Sequence, residues 1–220
     1  MRNVTIPLAA LLVLALALPT LADPVNDGDR NFERAWRVYA TRNNAKAIEY
    51  FQASAKAYDA AQAENPPSRI MRFQSIQVKA GISQYFAGEY DACIKTMEGA
   101  MGEKDQNNIW DAALFAALAQ GKKGDKDAFL KGIDRFLNSA SSQRLITAEV
   151  SKVLPGVKDG SMSPADAAAA IDKETQHQFV VNITRYDQRR GVSSSTESCD
   201  GSYWWRMNSR PCPQGRLREP

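Results

Sequence analysis

Histidine and cysteine are scarce in this chain of 220 residues, which contains one histidine and three cysteines. Catalytic bases and zinc ligands are drawn mostly from these two residue types. His177 stands alone near a predicted helix end, and Cys93 lies within an apolar helical pattern, where we expect a small buried side chain. We therefore predict no metal site, no cofactor and no catalytic residue, and interpret the protein as non-enzymatic.

An excess of charge of one sign is also lacking, since 28 basic residues stand against 25 acidic ones. Residues 185–220 carry seven arginines and four acids, which makes this tail +3. Without Arg2 the net charge is +2, so the body that precedes the tail is −1. This balance argues against a nucleic-acid-binding protein, because binding to phosphates requires a basic surface.

Long apolar runs are absent except at the start of the chain. Arg2 is followed by an uncharged run at residues 6–18, and Thr20-Leu21-Ala22 provides small residues before a cleavage site. The run is shorter than the roughly 20 residues that a membrane-spanning helix needs. We predict a signal peptide over residues 1–22, removed after Ala22, and a periplasmic or secreted mature protein that does not span a membrane.

Apolar residues recur at intervals of three and four over most of the remaining chain, which predicts an all-α protein. The expected helical units cover residues 31–64, 70–101 and 109–137, with turns near 42–44, 87–88 and 121–124. NPPS at 65–68 ends the first unit. A further helix is expected from about residue 142 to Leu154, ending before Pro155. Another is expected over residues 165–175, with Ser163 as its N-cap and Pro164 at its first position.

The central unit resembles the tetratricopeptide repeat, in which small residues let paired helices approach closely and large ones fill the gap. Its matching residues are Gly81, Gly88, Tyr90, Cys93, Met97 and Ala100. The first unit matches more loosely at Ala35, Ala47, Phe51 and Ser54, with Arg42 in place of the turn glycine. The third unit matches at Ala117, Gly124, Ile133 and Phe136. An irregular helical bundle is the alternative fold.

The resemblance implies a short solenoid of helical hairpins over residues 23–140, followed by additional helices over 141–177. Residues 178–220 are predicted to be an irregular tail. Within that tail, residues 179–186 are β-branched and aromatic, so either a short strand or a helix end is expected. Cys199 and Cys212 are expected to form a disulfide in an oxidising compartment. The loop that they enclose carries Tyr203, Trp204, Trp205 and Arg206.

In tetratricopeptide arrays the first helix of each pair lines a groove that usually holds a peptide or a partner helix. The resemblance places six side chains there: Phe32, Trp36, Tyr39, Ile82, Tyr85 and Phe86. The sequence leaves two alternatives, namely that these residues are core, or that the C-terminal helix and tail fill the groove. We hypothesise an exported adaptor or scaffold that binds a protein or peptide segment. A glycan-binding module using the aromatic loop is the alternative function, and a hydrolase has no supporting constellation of residues.

Overall fold

A computed structural model describes residues 23–102, 109–139 and 144–188 of the chain. Within these residues the protein folds into eight α-helices without a strand, which confirms the all-α prediction. The helices are α1 (Pro24–Ala40), α2 (Asn44–Ala63), α3 (Gln74–Ala87), α4 (Tyr90–Gly102), α5 (Ile109–Lys122), α6 (Lys126–Ser139), α7 (Arg144–Asp159) and α8 (Pro164–Gln188). A single 3-10 turn, Arg69–Arg72, lies between α2 and α3.

The helix ends follow from local capping chemistry. The Asp23 carboxylate accepts a hydrogen bond from the Val25 amide and caps α1, and Ser163 accepts one from the Asp166 amide and caps α8 as predicted. Gly88 ends α3 with a φ of +83°, the left-handed conformation that glycine adopts without penalty. At the turn between α1 and α2 the same kind of conformation falls on Arg42, with a φ of +61°.

Consecutive helices pack against each other from α1 through α6, and α1 contacts α3 while α3 contacts α5. Two of these helix pairs approach closely at a glycine. A Cβ atom on Gly81 in α3 would lie 2.7 Å from the Met97 methyl carbon in α4. On α6, a Cβ atom on Gly132 would lie 2.7 Å from Cβ of Ala117 in α5. Both pairs of helices therefore depend on glycine for their separation.

One large apolar core extends from α1 to α8. It contains six of the residues that carry the repeat-like pattern of the second and third units, namely Cys93, Met97, Ala100, Ala117, Ile133 and Phe136. A smaller cluster joins Val25, Tyr58, Ala61, Met71, Ile76 and Ala80. The 3-10 turn contributes Met71 to this second cluster, so the connection after α2 is anchored to the body.

The predicted stop before Pro155 is wrong, because α7 continues through Pro155 to Asp159. A proline inside a helix removes one backbone hydrogen bond and costs about 3 kcal/mol. Val157, however, lies on the face already buried by Val150 and Val153 and is fully buried itself. Packing of this apolar face outweighs the proline, and α7 ends where Gly160 adopts a φ of +85°.

The strand alternative for residues 179–186 is also wrong, since α8 runs on as a helix to Gln188. β-Branched residues lower helix propensity only slightly, whereas extending an existing helix adds a hydrogen bond for each residue. The irregular tail predicted from residue 178 therefore begins with helix. The remainder of that tail, residues 189–220, lies outside the described residues, as does the predicted signal peptide.

Candidate functional site

The six predicted groove residues lie inside the protein. Phe32, Trp36, Tyr39, Ile82 and Tyr85 have exposed fractions between 0% and 6%, and Phe86 is partly buried against the core. The Trp36 ring packs edge-on to Phe51 with the centroids 5.5 Å apart, and Phe51 stacks on Phe86 at 4.4 Å. An open aromatic groove is thus the wrong description of this structure, because the rings fill the space between the first two hairpins. Binding of a partner near them stays a prediction.

Helix α8 covers a surface to which α1, α3 and α5 contribute. This arrangement corresponds to the alternative in which the C-terminal helix fills the groove. The Tyr39 hydroxyl on α1 donates to the Asp172 carboxylate on α8 at 3.3 Å. One turn further along α8, the Gln176 side chain donates to the Tyr39 carbonyl at 2.6 Å and to the Asn44 side chain at 2.8 Å. These polar contacts fix α8 across the turn between α1 and α2.

On α5, the contact with α8 is governed by the size of the side chains. A Cβ atom on Gly121 would lie 2.8 Å from Cβ of Ala168 and 2.9 Å from the Pro164 carbonyl oxygen. Over residues 164–178, the buried residues of α8 are Ala167, Ala168, Ile171, Thr175 and Gln178, and the Gln178 side chain accepts a hydrogen bond from the Leu145 amide on α7. We name the surface formed by Tyr39, Tyr85, Gly121 and Lys122 the α8 seat.

The Asp172 carboxylate is the electrostatic centre of this contact. Burial raises its pKa to about 6, while Lys122 and the hydroxyls of Tyr39 and Tyr85 oppose the rise. The contact with Tyr85 is electrostatic, since its hydroxyl makes no hydrogen bond of ordinary geometry to any described residue. Burial and the nearby Asp172 together raise the pKa of both tyrosines, which keeps them protonated. The seat therefore presents two neutral hydroxyl groups and the Lys122 cation to α8.

A second polar cluster joins α1, α2 and α3, and no pattern in the sequence predicts it. Lys79 on α3 donates to the Asp29 carboxylate on α1 at 2.8 Å, and the two side chains are 5% and 18% exposed. The Tyr58 hydroxyl on α2 donates to the same carboxylate. Every donor in this cluster already has a partner within the protein. The cluster joins the first two hairpins, so its role is structural.

Cys93 and His177, the candidate reactive residues, make contacts that are typical of structural side chains. Cys93 is fully buried, its thiol faces the Phe115 carbonyl, and burial raises its pKa well above the ordinary range. His177 is exposed on α8 and lies 3.1 Å from the Glu174 carboxylate. The described residues contain no group of three or more side chains suited to holding a metal ion.

The C-terminal loop was the sequence's second candidate site. Tyr203, Trp204, Trp205 and Arg206 lie outside the described residues, together with the predicted disulfide between Cys199 and Cys212. Their roles in glycan binding and in stapling the tail stay predictions.

Fold and site together define an all-α protein of packed helices, in which the final described helix occupies a surface on the preceding ones. Comparison with known proteins finds no matching family model, curated protein or solved structure. Among the described helices, none combines the length and the apolar character that crossing a membrane requires.

Proposed function

We propose that this protein is an exported, non-catalytic adaptor of the cell envelope that binds a helical segment of a partner protein on the α8 seat. The observation that carries the proposal is that the seat already holds a helix. A surface that accepts α8 through small side chains and a few polar contacts has the shape and chemistry to accept another helix of the same kind.

The packing of α1 to α6 supports a tetratricopeptide-like arrangement. Each helix contacts the next, and α1, α3 and α5, the first helices of the three pairs, adjoin one another in order. Gly81 opposite Met97 reproduces the small-against-large packing on which the resemblance rests. In such arrays the first helices bind the partner, and here the same three helices contribute to the α8 seat.

Export is supported by the boundary between the predicted signal peptide and the first helix. The predicted cleavage follows Ala22, and Asp23 is the residue that caps α1. Removal of residues 1–22 would therefore leave the capping carboxylate in place.

The contact between α8 and its seat is suited to replacement of α8 by a partner helix. Burying an additional methylene-sized group contributes about 0.8 kcal/mol, whereas burying a whole leucine or phenylalanine side chain contributes about 1.5–3 kcal/mol. Over residues 164–178, where its side chains are described, the buried face of α8 includes two alanines and one large apolar side chain, Ile171. Over this segment a partner helix therefore has a single large apolar contact to replace.

A pair of matched substitutions in α8 tests the proposal. Ala168 is fully buried against Gly121, while Ala169 beside it is exposed. In the full-length chain, Ala168→Leu should force α8 from its seat, and Ala169→Leu should not. We expect a fluorescent peptide of residues 163–178 to bind the Ala168→Leu protein and to bind the Ala169→Leu protein much more weakly, as measured by anisotropy.

Circular dichroism of both proteins checks that the helical body remains folded. Gly121→Ala on α5 changes the seat itself, so the native peptide, which carries Ala168, should not bind this protein. If the Ala168→Leu protein is folded and does not bind the peptide, the seat does not accept a separate helix and the proposed function is wrong.

A further inference from the structure

α8 serves as a template for the helix that the seat accepts. Its buried positions are filled by Ala167, Ala168, Ile171 and Thr175, and the Gly121 backbone leaves no room for a larger side chain at 168. A partner helix must therefore carry a small residue where α8 has Ala168 and can carry an aliphatic residue where α8 has Ile171. This pattern determines the size of the side chains that a partner helix can carry. The polar requirement of the seat is set at the position of Asp172.

An ionised aspartate is poorly accommodated at position 172. Its one hydrogen bond of ordinary geometry comes from Tyr39 at 3.3 Å, and no ion pair to it forms within the described parts of the chain. The groups that face it are Tyr39 from α1, Tyr85 from α3, Tyr90 from α4 and Lys122 from α5. Three of these four are neutral phenols, so the partly buried, ionised carboxylate has lost water and gains one hydrogen bond and the nearby Lys122 charge in return.

We infer that the partner of the α8 seat is a helix of small residues with a neutral hydrogen-bonding side chain, such as asparagine, where α8 carries Asp172. This inference rests on the proposed function and adds the chemistry of the partner to it. A neutral amide accepts the Tyr39 hydrogen bond without the desolvation of a charge. At neutral pH such a helix outcompetes α8, whose own carboxylate weakens its hold.

The same chemistry makes the hold of α8 depend on pH. The pKa of Asp172 is about 6 when α8 is seated and about 3.9 when the carboxyl is in water. Seating therefore favours the protonated form, so α8 binds its seat most tightly at low pH and progressively less tightly as the pH rises from about 4 to about 6. Above that range the penalty is constant, and displacement by a neutral partner is easiest.

Synthetic peptides test the inference on the full-length Ala168→Leu protein. The probes span residues 163–178 and are the native peptide, its Asp172→Asn form and, as a misfit control, its Ala168→Leu form. At pH 7.5 we expect the Asp172→Asn peptide to bind at least tenfold more tightly than the native peptide. Lowering the pH to 5.0 should tighten binding of the native peptide about tenfold and leave the Asp172→Asn peptide nearly unchanged.

The peptides share His177, so the Asp172→Asn peptide also reports any effect of histidine titration on binding. Equal affinities of the native and Asp172→Asn peptides at pH 7.5, or a native affinity that does not respond to pH, would overturn the inference while leaving the seat itself intact. Absence of binding by all three peptides would instead contradict the proposed function. Tight binding of the misfit control would show that size at position 168 does not select the occupant.

Discussion

At the scale of single residues, stability depends on a few positions whose surroundings are polar or strained. The buried Lys79–Asp29 pair joins two helices that are distant in sequence, and Arg42 occupies a left-handed turn. Neither position belongs to the apolar pattern that defines the helices. Substitutions at both positions nevertheless have effects on stability whose direction can be predicted.

Removing the buried cation should destabilise the protein. Lys79→Ala leaves the Asp29 carboxylate in a site where it is 18% exposed and has lost its ion pair. We expect the free energy of unfolding to fall by about 3 kcal/mol, as measured by urea denaturation. Lys123→Ala provides the control, because Lys123 pairs with Asp91 at the surface and such pairs contribute less than about 1 kcal/mol. Equal losses in the two variants would show that burial of the first pair is unimportant.

Replacing Arg42 should stabilise the protein. A non-glycine residue at a φ of +61° carries a backbone penalty that glycine avoids. Arg42→Gly should therefore raise the free energy of unfolding by about 1 kcal/mol. Arg37→Gly, within α1, should lower it by a similar amount, because glycine disfavours a helix interior. The prediction fails if Arg42→Gly destabilises the chain as Arg37→Gly does.

At the scale of secondary-structure elements, α8 is the helix that carries Asp172, a carboxylate whose pKa burial raises to about 6. Over residues 164–178, where its side chains are described, α8 packs through Ala167, Ala168 and Ile171 beside this carboxylate. The contact of α8 with its seat should consequently weaken as the pH rises through the acidic range.

Asp172→Asn should change stability in a pH-dependent way. The pKa of Asp172 is raised to about 6 by burial, so its ionised form destabilises the fold above that pH. We expect the variant to be more stable than the wild type at pH 7.5, by at most about 3 kcal/mol, and the difference to shrink as the pH falls toward 4. Urea denaturation at several pH values measures this gap. Asp134→Asn alters an exposed carboxylate on α6, and a similar pH-dependent gap there would assign the effect to general charge instead.

At the scale of the whole molecule, the sequence predicted what depends on neighbouring residues. The period of apolar positions located the helices, and Gly88 and Ser163 marked helix ends because their capping chemistry is local. Longer-range competition produced the errors. At Pro155 the packing of Val157 outweighed the helix-breaking effect of proline, and residues 179–186 extended a helix that had already formed.

The site was predicted less well than the fold for the same reason. The sequence selected the aromatic residues on α1 and α3, but a helical stripe does not specify which surface covers it. Tyr39 and Asp172 are separated by 133 positions in the chain and meet only in the folded protein. Likewise, no pattern in the sequence joins Lys79 to Asp29. Contacts of this kind require the tertiary arrangement of the helices.

The central claim is that α8 rests on a surface from which it can separate while the rest of the protein stays folded. Hydrogen exchange of backbone amides in the wild-type chain tests it directly, since local opening appears as protection below that of the core. At pH 7.5 we predict lower protection factors for residues 167–178 than for α5, and a rise in the α8 values at pH 5.0 after correction for intrinsic exchange. Protection in α8 equal to that in α5 at both pH values would contradict the account, because α8 would then open only when the whole protein unfolds.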